Sequence, residues 1–162
     1  MCIRDRPRAT TESEMRQDPL TGQWYVYAAH RMNRTFMPPA NENPLAPTKP
    51  GELPTEVPAD DYDVVVFENR FPSLSVHMEV PDDFATQVDG QELFPRKPAI
   101  GRCEVVCFTP DVNASFRDLP YERARTVIEA WAHRTAELSA IEGIRYVFPF
   151  ENRGEEIGVT LQ

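Results

Sequence analysis

The distribution of proline constrains this chain more than any other feature of its sequence. Sixteen prolines stand against seven glycines; they concentrate in residues 37–58, with others at Pro72, Pro81, Pro95 and Pro98. Proline lacks a backbone donor and has a fixed φ, so it interrupts helix interiors and central strands. The pattern therefore predicts long ordered loops between short elements and excludes a helical bundle.

Four apolar runs predict strands. They are 24–27 in "DPLTGQWYVYAA", 64–67 in "YDVVVFENRFPSL", 103–108 in "CEVVCF" and 144–150 in "IRYVFPF". The run 64–67 has no polar alternation, which predicts burial on both faces of its strand. The last three runs each lead into a polar loop, a layout typical of binding sites.

One segment predicts a long helix, residues 119–141. Its apolar side chains recur at the i, i+3, i+4, i+7 spacing of a single stripe, formed by Ala124, Val127, Ile128, Trp131, Leu138 and Ile141. Asp118 is the nearest candidate N-cap, and Gly143 is a natural stop. Short strands with one long helix predict an α+β fold.

Charge and composition exclude two classes of partner. The net charge of −9 argues against nucleic-acid binding, which needs a basic surface. Since no apolar run reaches the ~20 residues of a membrane span, we expect no membrane association and a cytoplasmic location.

About 13 Å of extended chain separates Cys103 from Cys107, too far for a disulfide, so both are expected to be buried, reduced thiols.

The residues alone reveal no complete catalytic group. His30, His77 and His133 are scattered, and neither metal-ligand spacing nor a glycine-rich phosphate loop is present. Two loops could hold an anion: "HRMNR", with two guanidinium groups, and "ENRGEEIG", with two glycines beside Asn152. On the residues alone, a surface salt-bridge cluster and an ordinary turn are the favoured explanations of these two loops.

Four motifs, "DPLTGQWYVYAAHRMNR", "YDVVVFENRFPSL", "CEVVCFTPD" and "VFPFENRGEEIGVTL", occur in this order with similar spacing in galactose-1-phosphate uridylyltransferases of the histidine triad superfamily. The chain resembles them over residues 15–162, expected to be an incomplete N-terminal domain; residues 1–14 are expected to be a disordered or non-native lead. The resemblance implies an antiparallel half-barrel sheet crossed by the helix 119–141.

The resemblance also implies a reaction. Members of this family transfer UMP from UDP-glucose to galactose 1-phosphate through a uridylyl-histidine intermediate, a ping-pong transfer. Their nucleophile lies in an H-P-H-G-Q motif just after "ENRGEEIGVTL", which here would fall beyond Gln162. We therefore expect no catalytic residue within the chain, and binding without turnover.

By motif position, nine residues resemble the family's substrate-binding groups. Arg31 and Arg34 correspond to the pair near the sugar-phosphate and diphosphate region. The uridine-facing strand end corresponds to Phe67, Asn69, Arg70 and Phe71. The donors that hold the phosphoryl group correspond to Asn152, Gly158 and Thr160. The implied partners are UDP-glucose or UDP-galactose, a hexose 1-phosphate and, in the intact protein, a second copy forming a homodimer.

The chain departs from the family at its zinc positions. Zinc-binding members carry two cysteines and a histidine where this chain has Asn43, Ala46 and Val112. None of these side chains is a usual zinc ligand. We therefore expect no metal and no other cofactor in this chain.

Two other functions compete with uridylyl transfer. A nucleotide phosphorylase or adenylyltransferase of the same superfamily would also use a histidine on an α-phosphate, but it would need a purine-sized pocket. A non-catalytic nucleotide-sugar-binding module would lack the nucleophile altogether. The motifs "ENRGEEIGV" and "FENRF" favour the uridylyl enzymes over the first alternative.

Overall fold

The computed structural model describes residues 13–31 and 42–152 together with the backbone of Cys2 and Ile3. These residues fall into two compact units, one formed from 2–3, 42–67 and 105–152, the other from 13–31 and 68–104. In chain order, the elements are β1 (Cys2–Ile3), β2 (Glu14–Gln17), β3 (Trp24–Tyr27), β4 (Val65–Glu68), β5 (Gln87–Val88), β6 (Gln91–Pro98), β7 (Glu104–Cys107) and α1 (Tyr121–Ser139). The predicted α+β class is confirmed.

The first unit is built around β4. This strand lies between β1 and β7, and β1 runs parallel to it. Successive β4 side chains point to opposite faces of the sheet, so Val65 and Phe67 pack with Val57 in one core cluster. Val64 and Val66 pack with Val127 of the helix in the other. The prediction that 64–67 is buried on both faces is confirmed, since each side chain is at most 7% exposed.

The helix α1 is two residues shorter at each end than predicted. A 3-10 turn, Phe116–Asp118, precedes it, and Asp118 accepts a 2.6 Å hydrogen bond from the Ser115 hydroxyl there. The predicted cap at Asp118 is therefore wrong, because the helix begins after Pro120 without a side-chain cap. Val127 is fully buried, whereas Ile128 is 50% exposed and lies at the edge of the predicted stripe.

The second unit contains an antiparallel four-stranded sheet in the order β3-β2-β6-β5. Glu14 of β2 lies opposite Tyr27 of β3 and opposite Pro98 of β6. The two-residue turn between β5 and β6 places Asp89 at φ 50° and Gly90 at φ 72°, the left-handed geometry of a tight hairpin. The predicted aromatic strand 24–27 is confirmed. The eight-residue strand β6 was not predicted, because Pro95 and Pro98 in its sequence argue against a strand.

The predicted strand at 144–150 is wrong in the described part of the chain. These residues join no ladder, and Tyr146, Phe148 and Phe150 are 78%, 66% and 67% exposed. Their rings stack in sequence, with centroids 6.2 and 5.7 Å apart. Alternating aromatic residues favour a strand, but a strand also needs a neighbouring strand to complete its hydrogen bonds.

The structure describes only a few of the first fourteen residues. Cys2 and Ile3 pair with β4, and Ser13 is buried before β2 begins. Most of 1–14 lies outside the described residues, so its assignment as a lead stays a prediction. Among the described residues, no helix is long and apolar enough to cross a bilayer.

Candidate functional site

Residues 69–75, called the β4 loop here, follow β4 and carry three predicted substrate-binding side chains. The loop is held by backbone hydrogen bonds from Asn69 N to Cys103 O (2.9 Å) and from Ser75 N to Ala99 O (3.2 Å). Between these two anchors, Gly101 faces Leu74 so closely that a Cβ at Gly101 would lie 3.0 Å from the leucine side chain. The loop thus has a defined shape set by residues 99–103.

The first turn of the β4 loop is fixed by Asn69 itself. Its side-chain Oδ1 accepts a 2.9 Å hydrogen bond from Phe71 N, an Asx turn. The guanidinium of Arg70 lies 5.6 Å from the centroid of the Phe71 ring, and that ring is 39% exposed. The turn therefore presents an amide nitrogen, a guanidinium and an aromatic face, groups that suit a nucleoside carrying phosphate.

Arg31 is attached to the same loop. It ends the 3-10 turn Ala29–Arg31, and its Nη1 donates a 2.9 Å hydrogen bond to Ser73 Oγ. A guanidinium has five N–H donors, so this bond leaves donors for an anion. The structure thereby brings together two predicted groups, Arg31 and the residues at 69–71. Sequence reasoning missed Ser73, because a lone serine in a loop carries no signal of its distant partner.

Three ionised side chains meet where the β4 loop begins. Arg102 Nε lies 2.8 Å from Glu104 Oε1, and Arg102 Nη1 lies 3.5 Å from Glu68 Oε2. The side chains of Glu104, Glu68 and Arg102 are 7%, 13% and 25% exposed. The other oxygen of Glu68, Oε1, is buried with no hydrogen-bond partner among the described residues. Sequence reasoning missed this cluster too.

The remaining predicted residues are placed differently. Phe67 is 3% exposed and packs in a core cluster, which gives it a packing role; its contact with a ligand stays a prediction. Asn152 belongs to the first unit and is exposed there. Arg34, Gly158 and Thr160 lie outside the described residues.

The three positions where zinc-binding relatives have ligands do not fit a metal. Asn43 is 8% exposed, and its Oδ1 accepts a 2.9 Å hydrogen bond from Leu45 N. Ala46 and Val112 have no ligating side-chain atom. In the described ranges, no group of three histidine, cysteine or acidic side chains could hold a metal ion.

Cys103 and Cys107 are free but only partly buried, so the expected burial of this pair was overstated. Burial raises the pKa of Cys107 to about 11, although its hydrogen bond with Tyr62 partly offsets this effect. Burial also raises the pKa of Tyr62 above its ordinary value, and its hydroxyl donates a 2.7 Å bond to Thr109 O. A thiol protonated at neutral pH is a poor nucleophile, so Cys107 is a packing residue.

An open groove of about 470 Å³ lies on the four-stranded sheet of the second unit. Its lining includes the aromatic side chains Tyr25, Tyr27 and Phe94 together with Arg16, whose guanidinium lies 4.6 Å from the Tyr27 ring centroid. No predicted site residue lines this groove. The β4 loop with Arg31 is therefore the better candidate site.

Comparison with known proteins identifies the family. Residues 5–162 match the family described as galactose-1-phosphate uridyl transferase, N-terminal domain. A galactose-1-phosphate uridylyltransferase of Streptomyces lividans is 47% identical over 154 residues, which cover 95% of this chain and 36% of that protein. One from Thermotoga maritima is 36% identical, covering 91% of this chain and 43% of that protein.

A solved structure agrees with these relatives. It is described as the structure of a uridylyltransferase, it is 27% identical, and it superimposes with a TM-score of 0.66 over 91% of this chain and 42% of that one. The chain thus spans less than half the length of these three proteins. On the family match and these relatives together, the chain belongs to the galactose-1-phosphate uridyl transferase family, in its N-terminal domain.

Proposed function

We propose that this chain supplies part of the nucleotide-sugar site of a UDP-glucose:hexose-1-phosphate uridylyltransferase, which moves UMP from UDP-glucose to galactose 1-phosphate. The observation that carries this function is the Arg31 to Ser73 hydrogen bond, which attaches a guanidinium to the loop bearing Asn69, Arg70 and Phe71. A cation for phosphate and an exposed ring for a base are then supplied by one compact unit.

The proposed reaction has two displacements. A histidine nitrogen attacks the α-phosphorus of UDP-glucose, and the bond to the departing glucose 1-phosphate oxygen breaks. A phosphate oxygen of galactose 1-phosphate then attacks the uridylyl-histidine, which gives UDP-galactose and frees the histidine. The family resemblance supplies that nucleophile, and no described residue of this chain is assigned to it.

The roles of this chain's residues are binding and charge stabilisation. Arg31 and Arg34 would neutralise the diphosphate, and Asn69 to Phe71 would hold the uridine. Asn152, Gly158 and Thr160 would donate to the phosphoryl oxygens before and after transfer. Fixed donors cost little reorganisation during phosphoryl transfer, so positioning and electrostatics supply most of the rate.

Two broader properties belong to the same proposal. We expect the intact protein to act as a homodimer and the reaction to take place in the cytoplasm. The family resemblance supports the first expectation, and the lack of a long apolar run in the sequence supports the second. Sedimentation of the intact protein would test the first, because a stable dimer keeps its mass on dilution.

Ligand titration tests the binding role. UDP-glucose and ADP-glucose are titrated separately into the 162-residue chain while amide NMR signals are followed. We expect saturable binding of UDP-glucose with shifts at Asn69 and Phe71, and at least tenfold weaker binding of ADP-glucose. Equal affinity would favour the purine-specific alternative, and no binding of either ligand would contradict the proposed site.

A matched pair of variants sharpens this titration. Arg31→Ala should raise the dissociation constant for UDP-glucose about tenfold, since a charge-assisted bond to phosphate is lost. Arg117→Ala is the control, because Arg117 is 83% exposed and its ion pair is with the neighbouring Asp118. An equal effect of both variants would indicate that the loss of one positive charge, and not the loss of a specific contact, weakens binding.

The chemical step has a separate test. Reading the coding DNA past Gln162 shows whether H-P-H-G-Q follows. That motif within a few codons would support the transferase, and a continuation without its histidines would favour the non-catalytic binding module.

A further inference from the structure

Arg102 joins two carboxylates that lie on different strands. Glu68 is the last residue of β4 and Glu104 is the first of β7. Both side chains are at most 13% exposed, and Arg102 contacts each of them, at 3.5 and 2.8 Å. Cys103, the next residue, offers the carbonyl that accepts the hydrogen bond of Asn69 N. The charged bridge and the backbone anchor of the β4 loop are therefore adjacent.

The bridge is poorly built as a stabilising device. Two carboxylates share one guanidinium, and Glu68 Oε1 has no donor among the described residues. Ionised groups lose solvation on burial, and the attraction between them recovers that loss only when every remaining polar atom is satisfied. An apolar cluster of equal volume would contribute at least as much to the free energy of unfolding. What such a cluster could not supply is a fixed direction for Glu68 and hence for Asn69.

We propose that Arg102 is a positioning residue for the nucleotide-sugar site. Its guanidinium holds Glu68 against residues 102–104, which aligns Asn69 N with Cys103 O and sets the Asx turn that presents Arg70 and Phe71. Arg102 itself contacts no ligand in this role. The inference rests on the proposed function, because the turn matters for ligand affinity only if UDP-glucose binds there.

The test replaces the whole bridge instead of one member, because Arg102→Met alone would leave Glu68 and Glu104 largely buried and without this guanidinium. In the triple variant E68M/R102M/E104M, the volume is kept and all three charges are removed. We expect a thermal midpoint equal to or above that of the unaltered chain. We also expect about a tenfold rise in the dissociation constant for UDP-glucose and at least tenfold faster hydrogen exchange at the Asn69 amide.

Two further variants complete the design. Arg102→Lys keeps the charge but loses the planar fork, so it should fold and weaken UDP-glucose binding about threefold. The double variant R125M/E129M removes an exposed helical ion pair of the same chemistry and should leave affinity unchanged. The Val66 amide, in the central strand, is the internal reference for exchange.

The outcomes are separable. Unaltered affinity in a folded triple variant, or in Arg102→Lys, would overturn the positioning role. A triple variant that cannot fold would also overturn it, since the bridge would then be a stability device. If the unaltered chain binds no UDP-glucose, the proposed function fails, while exchange at Asn69 still reports whether Arg102 fixes the loop.

Discussion

Nη1 of Arg31 lies 2.9 Å from Oγ of Ser73, and 42 residues separate the two in sequence. This contact joins Arg31, of the segment "HRMNR", to the β4 loop. It is exposed, so its contribution to global stability is small, whereas its contribution to the position of the guanidinium is direct.

Removing the hydroxyl should therefore weaken ligand binding without unfolding the chain. We expect Ser73→Ala to raise the dissociation constant for UDP-glucose about threefold, near 0.6 kcal/mol, because Arg31 loses its fixed orientation. The free energy of unfolding should change by less than about 0.5 kcal/mol. Calorimetric titration and urea denaturation measure the two quantities. Ser73→Thr retains the hydroxyl and should restore affinity; a threonine variant as weak as alanine would contradict the orienting role.

Gly101 is required by the closeness of Leu74. An added Cβ would lie 3.0 Å from two atoms of the leucine side chain, so Gly101→Ala should destabilise the chain by about 1–3 kcal/mol in urea denaturation. The double variant with Leu74→Ala removes the clash. Its cost should be less than the sum of the two single costs, and simple additivity would show that the clash is absent.

Burial on the helix distinguishes two adjacent residues. Val127 of α1 is fully buried against Val64 and Val66, so Val127→Ala should lower the free energy of unfolding by about 2 kcal/mol through lost burial and a cavity. Ile128 is 50% exposed, and Ile128→Ala should cost less than about 0.5 kcal/mol. Thermal or urea unfolding of both variants checks the difference. A reversed order would contradict the packing of Val127 against Val64 and Val66.

The raised pKa of Cys107 predicts a loss of stability in alkali. Its pKa rises on folding from 9.0 to about 11, so between these values the native state binds more protons than the unfolded state. The stabilisation is complete below pH 9 and is lost as pH rises towards 11. Urea midpoints across this range should fall for the unaltered chain and fall less steeply for Cys107→Ala. At pH 8 the thiol is almost entirely protonated, so alkylation of Cys107 should be slow.

The exposed aromatic segment predicts self-association. Tyr146, Phe148 and Phe150 form a stacked, exposed apolar surface on a segment that joins no strand among the described residues, and such a surface favours contact between copies of the chain. The double variant F148S/F150S should remain monomeric at higher concentration than the unaltered chain in sedimentation velocity. Leu53→Ser alters a single side chain that is 88% exposed and should have little effect. Equal behaviour of all three proteins would contradict this surface as the contact.

The sequence by itself determined the elements whose signals are local. An unbroken apolar run makes 64–67 a strand buried on both faces, and a 3.6-residue period makes α1 a helix with one apolar stripe. Motif order also indicated the family, which the match over residues 5–162 confirms. Each of these signals depends on neighbours a few residues apart, which is the range that sequence patterns report.

Only the tertiary structure decided what depends on distant partners. The run at 144–150 has a strand pattern, yet pairing needs a second strand, and pattern cannot supply one. The same holds for three contacts that no sequence pattern indicates. They are the hydrogen bond from Arg31 to Ser73, the close approach of Leu74 to Gly101, and the ion pairs of Arg102. Hydrogen bonds and ion pairs act over about 3 Å in space, whatever the separation in sequence, so the chain must fold before such neighbours exist.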